Sequence, residues 1–275
     1  MERDHFLHRF ALSVLMLGLA TLVGLPFYYI LVNTLKTQQE TGDSPLGLPT
    51  HLFLDNYIAV FQTVPVLESA LNTLYVTALS VLLMLIVGSM AAYGMITRRS
   101  RLNRLFGAAL LLAFMVPFQS TLVPLYQMLA GMRLVDSLNG LVVMYSAGSI
   151  FCYFLILGYM RTVPYELIEA ARIDGCTTFG IYWRIVLPLI RPILITVGVF
   201  QTMWVWNDFI TPTVFLSSPS NKTLVLQVYA AVGQFAVNWP AFMTLTVIVL
   251  CPILVFFIAM QRHIVSGLMS GGIKG

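Results

Sequence analysis

Apolar residues in this chain do not alternate with polar ones; they run in long blocks separated by short polar connections. Six blocks stand out, at about 10–32, 69–96, 105–130, 138–160, 192–216 and 240–260. Runs of 18 or more apolar residues predict transmembrane helices. At about 1.5 Å rise per residue each block is long enough for a hydrocarbon core of about 30 Å. Their continuity argues against barrel strands, in which lipid-facing and lumen-facing positions alternate. The longest blocks predict tilted spans, or helices that continue past the headgroups. The expectation is an all-α membrane protein of six spans, with 1–275 forming a single membrane domain because no internal repeat is evident.

Composition strengthens this reading. The chain is 59% hydrophobic and 9% charged, whereas a soluble domain carries about a quarter charged residues. Too few charges remain to cover a globular surface in water. Cys152, Cys176 and Cys251 are odd in number and form no CxxC or Cys/His cluster. No disulfide framework or metal site is expected, and the three read as packing residues. Arg3 and Arg9 precede the first block. That block exceeds the 7–15-residue core of a signal peptide and no small-x-small site follows, which predicts a retained first span.

A net charge of +4 could suit a nucleic-acid partner, but its distribution points to topology instead. Twelve Lys or Arg lie in the N-terminal residues, the 97–104 and 161–191 connections and the tail, against Lys36, Arg133 and Lys222 in the alternate connections. By the positive-inside rule both termini are cytoplasmic and 33–68, 131–137 and 217–239 are outer loops. No nucleic acid is expected.

The 161–191 connection is too long for a turn and carries its own helix signals. Pro164 suits a helix start, Glu166 and Glu169 suit the positive end of a helix dipole, and Gly175 suits a left-handed stop. Thr177 or Thr178 then caps a second short helix running towards Pro188. Leu167, Ile168 and Ala171 are expected on one face of the first helix; Phe179, Tyr182, Trp183 and Val186 are expected on one face of the second. Such a pair is either a docking element for a partner protein or an interfacial element on anionic lipid.

The run EAARIDG (169–175) followed by IVLP (185–188) resembles the EAA loop of permeases from binding-protein-dependent ABC importers. LDNY (54–57), AAYG (91–94), VPLYQ (123–127), WNDF (206–209) and the ending QRHIVSGLMSGGIKG extend the resemblance over nearly the whole chain. They place it in the carbohydrate branch, similar to the smaller maltose-transporter permease. His263, Met269, Gly272 and Ile273 depart from the usual tail.

The resemblance implies type I ABC importer permease architecture in a bacterial cytoplasmic (inner) membrane. It implies a second permease subunit, two nucleotide-binding ATPase subunits, an extracytoplasmic solute-binding protein and a sugar substrate. Glu166, Glu169, Ala170, Ala171, Asp174, Gly175, Leu187 and Pro188 would then couple the chain to the ATPase. The tail residues Gln261, Gly267, Leu268, Gly271, Gly272 and Lys274 would touch the same partner. The 217–239 connection would probe the sugar site of the binding protein through Ser217, Ser218, Asn221, Gln234 and Asn238.

Asp208 is the only charged residue within the six blocks. An intramembrane carboxylate costs about 2.5–3.5 kcal/mol on insertion scales, so it needs a cavity, a partner or the outer interface. With Trp206 and Asn207 it is a candidate for the translocation path; the alternative is a helix-to-helix hydrogen bond. Gly88 and Ala92 predict close helix packing, while Pro212 and Pro252 are candidate interruptions. No GxxxxGK[ST] phosphate loop occurs. The chain is therefore expected to be no enzyme and to hold no cofactor, with ATP and magnesium bound by partner subunits. An ion-coupled secondary carrier and a non-transporting scaffold are the rival classes.

Overall fold

The computed structural model describes residues 2–98, 100–234 and 238–272, with side chains described over 8–98, 100–231 and 238–262. Every regular element among the described residues is helical. The main helices are α1 (Glu2–Asn33), α2 (Val66–Thr97), α3 (Arg101–Met115), α4 (Leu122–Gly131) and α5 (Leu138–Met160). They are followed by α6 (Glu166–Ile173), α7 (Thr178–Leu189), α8 (Arg191–Asn207), α9 (Ile210–Phe215), α10 (Leu224–Gln234) and α11 (Trp239–Gly272).

Among the described residues, four helices are long and apolar enough to cross a membrane: α1, α2, α5 and α11. Six spans result if each of two bent pairs counts as one. The third expected block is not a single rod. Arg101–Met115 and Phe118–Gly131 meet at 92°, because Val116, before Pro117, is held extended (ψ 122°). The second bend falls just before the fifth expected block, where Thr178–Leu189 and Arg191–Asn207 meet at 76°; the block itself is broken at Asp208, after α8 ends at Asn207. Before the bend, Pro188 lacks an N–H and crowds the preceding turn, and the backbone widens into a π turn over Tyr182–Val186. Pro252, a candidate interruption, lies inside the continuous helix α11. The 217–239 connection, read as an outer loop between spans, contains the helix α10.

The chain forms two compact units, Met1–Val66 with Gln227–Pro252, and Leu67–Leu226 with Ile253–Gly275. In the first, the connection after α1 is tied down by buried polar groups. Asn33 Nδ2 donates to the Tyr29 and Pro45 carbonyls, and the fully buried Lys36 donates from Nζ to Ser44 O at 2.7 Å. Asn56, from LDNY, donates to Thr34 O and Lys36 O, both at 2.9 Å. The Thr50 N–H bonded to Glu40 holds that carboxyl below its ordinary pKa.

The second unit is built on α2 against α5. A Cβ on Gly88 would lie 2.7 Å from Cys152 Cβ and 3.0 Å from Tyr153 N. Ala92 is fully buried. The small residues at 88 and 92 therefore permit the close approach that the sequence predicts. Met84, Tyr153, Ile156 and Val197 complete this core. Helix α8 joins α5 where a 3₁₀ turn at Ser146–Gly148 frees a carbonyl, with Gln201 Nε2 donating to Gly148 O at 3.2 Å. Cys152 is buried, but Cys176 and Cys251 are exposed; only the first packs as expected.

Candidate functional site

The stretch from Pro164 to Ile190 folds as two short helices around a left-handed glycine. Gly175 has φ +79°, a conformation that β-branched side chains resist. Its N–H donates to Arg172 O and that of Cys176 to Ala171 O, each at 3.0 Å. That pair of bonds is a Schellman stop, which satisfies the last carbonyls of α6. Thr177 then caps α7, its Oγ1 accepting from Gly180 N at 3.1 Å. The expected helix–glycine–helix order is therefore present.

This segment is anchored on α2 by three side chains whose contacts the sequence does not show: Tyr93 and Ser89 of α2, and Tyr182. Tyr93 donates from its hydroxyl to Thr178 O at 3.1 Å, and Tyr182 shares a 2.7 Å hydrogen bond with Ser89 Oγ. The rings of Tyr93 and Tyr182 lie 5.6 Å apart. Tyr93 belongs to AAYG, so the usable signal was a tyrosine placed just before an arginine-rich turn.

The faces divide differently from the expectation. Ile168 and Ala171 are buried, but Leu167 turns outward at 43% exposure. On α7, Tyr182 and Val186 are buried while Phe179 (61% exposed) and Trp183 (41%) point outward and pack edge to face. The reason is that Tyr93 and Ser89 pull the Tyr182 side of α7 onto α2, and the stripe of four cannot all follow. With Ile173 at 86% exposure, the surface presents four large apolar groups beside exposed Glu166, Glu169, Ala170 and Asp174. Leu187 is half-buried and Pro188 exposed.

At the far end of α8, Asp208 closes a break. Its Oδ2 accepts from the Tyr145 hydroxyl at 3.0 Å, and its Oδ1 accepts from Ile210 N at 2.9 Å, capping α9. These bonds tie the carboxylate to α5 and α9 at the end of α8. Trp206 is buried with its indole N–H unpaired. Asn207 is exposed and donates from Nδ2 to Met203 O at 2.8 Å. Phe200, Trp204 and Asn207, spaced i, i+4 and i+7, form the exposed face of α8; Phe200 and Trp204 were not picked out from the sequence.

A second carboxylate organises the neighbouring connections. Asp136 (φ +55°) accepts from Ser217 N at 3.0 Å, from Ser218 N at 2.9 Å and from the Ser218 hydroxyl. Asn221 Nδ2 donates to Asp136 O at 2.6 Å. These donors, led by the Ser218 hydroxyl, hold the Asp136 carboxyl far below the usual range. The side chains of Ser218 and Asn221 are therefore engaged within the fold, whereas Ser217 is held by its backbone and its side chain is exposed. Asn238 Oδ1 accepts from Ala241 N at 3.2 Å, and the Gln234 side chain lies outside the described residues. In the tail, Gln261 is exposed. Gly267, Leu268, Gly271 and Gly272 continue the helical backbone of α11, their side-chain surroundings lying outside the described residues, as does Lys274 entirely. No group of three or more metal-ligating side chains occurs among the described residues.

Comparison with known proteins matches residues 84–269 to the family described as binding-protein-dependent transport system inner membrane component. The chain is 34% identical, over the full length of both, to "Probable starch degradation products transport system permease protein AmyC" of Thermoanaerobacterium thermosulfurigenes. It is 31% identical, over 91% of each chain, to the melibiose/raffinose/stachyose import permease protein MelC of Bacillus subtilis. Among solved structures, a chain of a bacterial ABC transporter that imports the acidic polysaccharide alginate superposes with a TM-score of 0.83. That match is 21% identical, covers 94% of this chain and 97% of that one, and shows a shared fold.

Proposed function

The chain belongs to the family of binding-protein-dependent transport system inner membrane components, and on that premise we propose that it is a membrane-spanning subunit of an ATP-driven importer of oligosaccharides. It sits in the bacterial inner membrane beside a second permease subunit. A solute-binding protein delivers sugar from outside, and two ATPase subunits holding ATP and magnesium work from the cytoplasm. The observation that carries this reading is the surface of 166–183: large exposed apolar side chains beside three carboxylates, on a segment bonded to a spanning helix. An apolar patch rimmed by charge suits a protein partner.

The mechanism is alternating access. Closure of the ATPase dimer moves the docked α6–Gly175–α7 unit, and Tyr93, Tyr182 and Ser89 transmit that movement to α2. The 76° bend at Ile190 lets α7 shift without dragging α8 rigidly. Along the path, the aromatic and amide face of Phe200, Trp204 and Asn207 is chemically suited to sugar rings and hydroxyls. Replacing Trp204 with Ala should raise the KM for transport by about tenfold or more through lost stacking; an unchanged KM would remove that face from the path.

The decisive test is Glu169→Lys in the reconstituted complex. It should abolish sugar-stimulated ATPase activity while the chain still inserts and co-purifies with its permease partner. Undiminished stimulation would remove α6 from the coupling route. Uptake by the isolated chain under a proton or sodium gradient would replace this proposal with an ion-coupled carrier.

A further inference from the structure

A cavity of about 670 Å³ lies inside the second unit, between the ends of α2 and α5, the start of α3 and the α6–α7 segment. Its charged lining is of one sign: Arg98, Arg104 and Arg161 line it, and no carboxylate does so among the described residues. The turn that carries the first two is preformed. Asn103 Nδ2 donates to Arg98 O at 2.6 Å, and Ser100 Oγ accepts from Asn103 N at 3.1 Å. Ser100, Asn103 and two tyrosines add neutral polar groups, and most of the remaining wall is apolar, including Leu157, Met160 and Ile190.

Those two halves call for an amphiphile with an anionic head. A soluble anion would leave the apolar wall in water, and a zwitterionic lipid would bring its own cation against three guanidiniums. Guanidinium clusters pair with phosphate oxygens through two parallel N–H donors. Basic pockets between spanning helices on the cytoplasmic side suit anionic headgroups, and this pocket lies at the arginine-rich end of the spans. We propose that it binds one anionic phospholipid, with the phosphodiester on Arg98, Arg104 and Arg161 and the upper acyl chain along Leu157, Met160 and Ile190. Tyr165 and Ile168 also line the cavity, so a bound lipid steadies the segment assigned above to ATPase docking. Only this last consequence rests on the proposed function; the binding site does not.

The test uses the intact complex in phosphatidylcholine nanodiscs doped with phosphatidylglycerol, with co-purifying lipid counted by mass spectrometry. Wild type should saturate at about one phosphatidylglycerol per chain. Each arginine replaced in the series to Arg98→Gln/Arg104→Gln/Arg161→Gln should weaken retention by about fivefold. Arg101→Gln, exposed and outside the cavity, should leave it within twofold. All three cavity arginines lie at exposed positions, and Arg104→Gln alone provides a minimal variant. Equal retention in the triple variant overturns the proposal. So does an equal loss in Arg101→Gln, which would mean general surface attraction. Complete displacement by millimolar glycerol phosphate overturns it in favour of a free-anion site. Lipid retention measured in Glu169→Lys separates failure of this site from failure of the docking role.

Discussion

The apolar path through α7, α8 and α9 is interrupted twice, at Ile190 and at Asp208, and the two interruptions are built differently. At Asp208 the carboxylate finds partners within the chain, although the nearby Trp206 indole N–H does not: Tyr145 and the α9 amides meet the carboxylate, and Asp136 gathers Ser217, Ser218 and Asn221 alongside. At Ile190 the bend leads back into α7 and α6, where Leu167, Ile173, Phe179 and Trp183 remain exposed. One end of α8 is closed by its own hydrogen bonds and the other is left open on one face. A closed polar node stabilises the fold. A surface left with this much exposed apolar area marks a place where another molecule completes it.

The largest expected effect lies at the open end. Gly175→Val places a β-branched residue at φ +79°, a strain of about 1–3 kcal/mol that shifts the angle between α6 and α7. Sugar-stimulated ATPase activity should fall by at least about tenfold, while the detergent melting temperature of the isolated chain changes little. Equal damage to both readouts would make the glycine merely structural.

The closed end should respond in the opposite manner. Asp208→Ala strips Tyr145 of its acceptor and α9 of its cap, costing about 2–3 kcal/mol, so thermal unfolding should come earlier. Adding Tyr145→Phe should recover part of that loss by removing the stranded hydroxyl. If Asp208→Ala kept full stability but lost transport, Asp208 would belong to the sugar path and the contrast between the two ends would fail.

The smallest effect concerns pH. Because the folded-state pKa of Asp136 is depressed, its contribution is fully present above the unfolded value of about 3.9 and is lost as pH falls through the lower folded value. Amide exchange at Ser217 and Ser218 should therefore, after correction for intrinsic rates, remain equally protected from pH 8 to pH 5. In Asp136→Ala it should be about tenfold faster throughout that window. A protection change centred between pH 5 and 8 in wild type would assign the staple to another group.

Much of this protein is written locally. Long apolar blocks must be helical in lipid, since each backbone N–H has to be satisfied within its own segment. Gly175 and Thr177 announce a helix–turn–helix because only certain residues tolerate those backbone positions. The motif at 169–175 with 185–188 points to the family from the sequence alone. The bends were harder to see: Pro117 and Pro188 are visible, but a proline signals a weakened hydrogen bond and not an angle.

What only the tertiary structure decided was the use to which side chains are put. Asp208 reads in sequence as a candidate for the path; its neighbours make it a cap and a clamp. Phe179 and Trp183 read as one face with Tyr182, until Ser89 and Tyr93, about 90 residues earlier, claim Tyr182 and turn the others outward. The arginines at 98, 104 and 161 read as topology signals and become three sides of one cavity. Periodicity and propensity act over a few residues. Burial, pairing and pockets depend on which distant residues arrive beside them, and that is settled only when the helices pack.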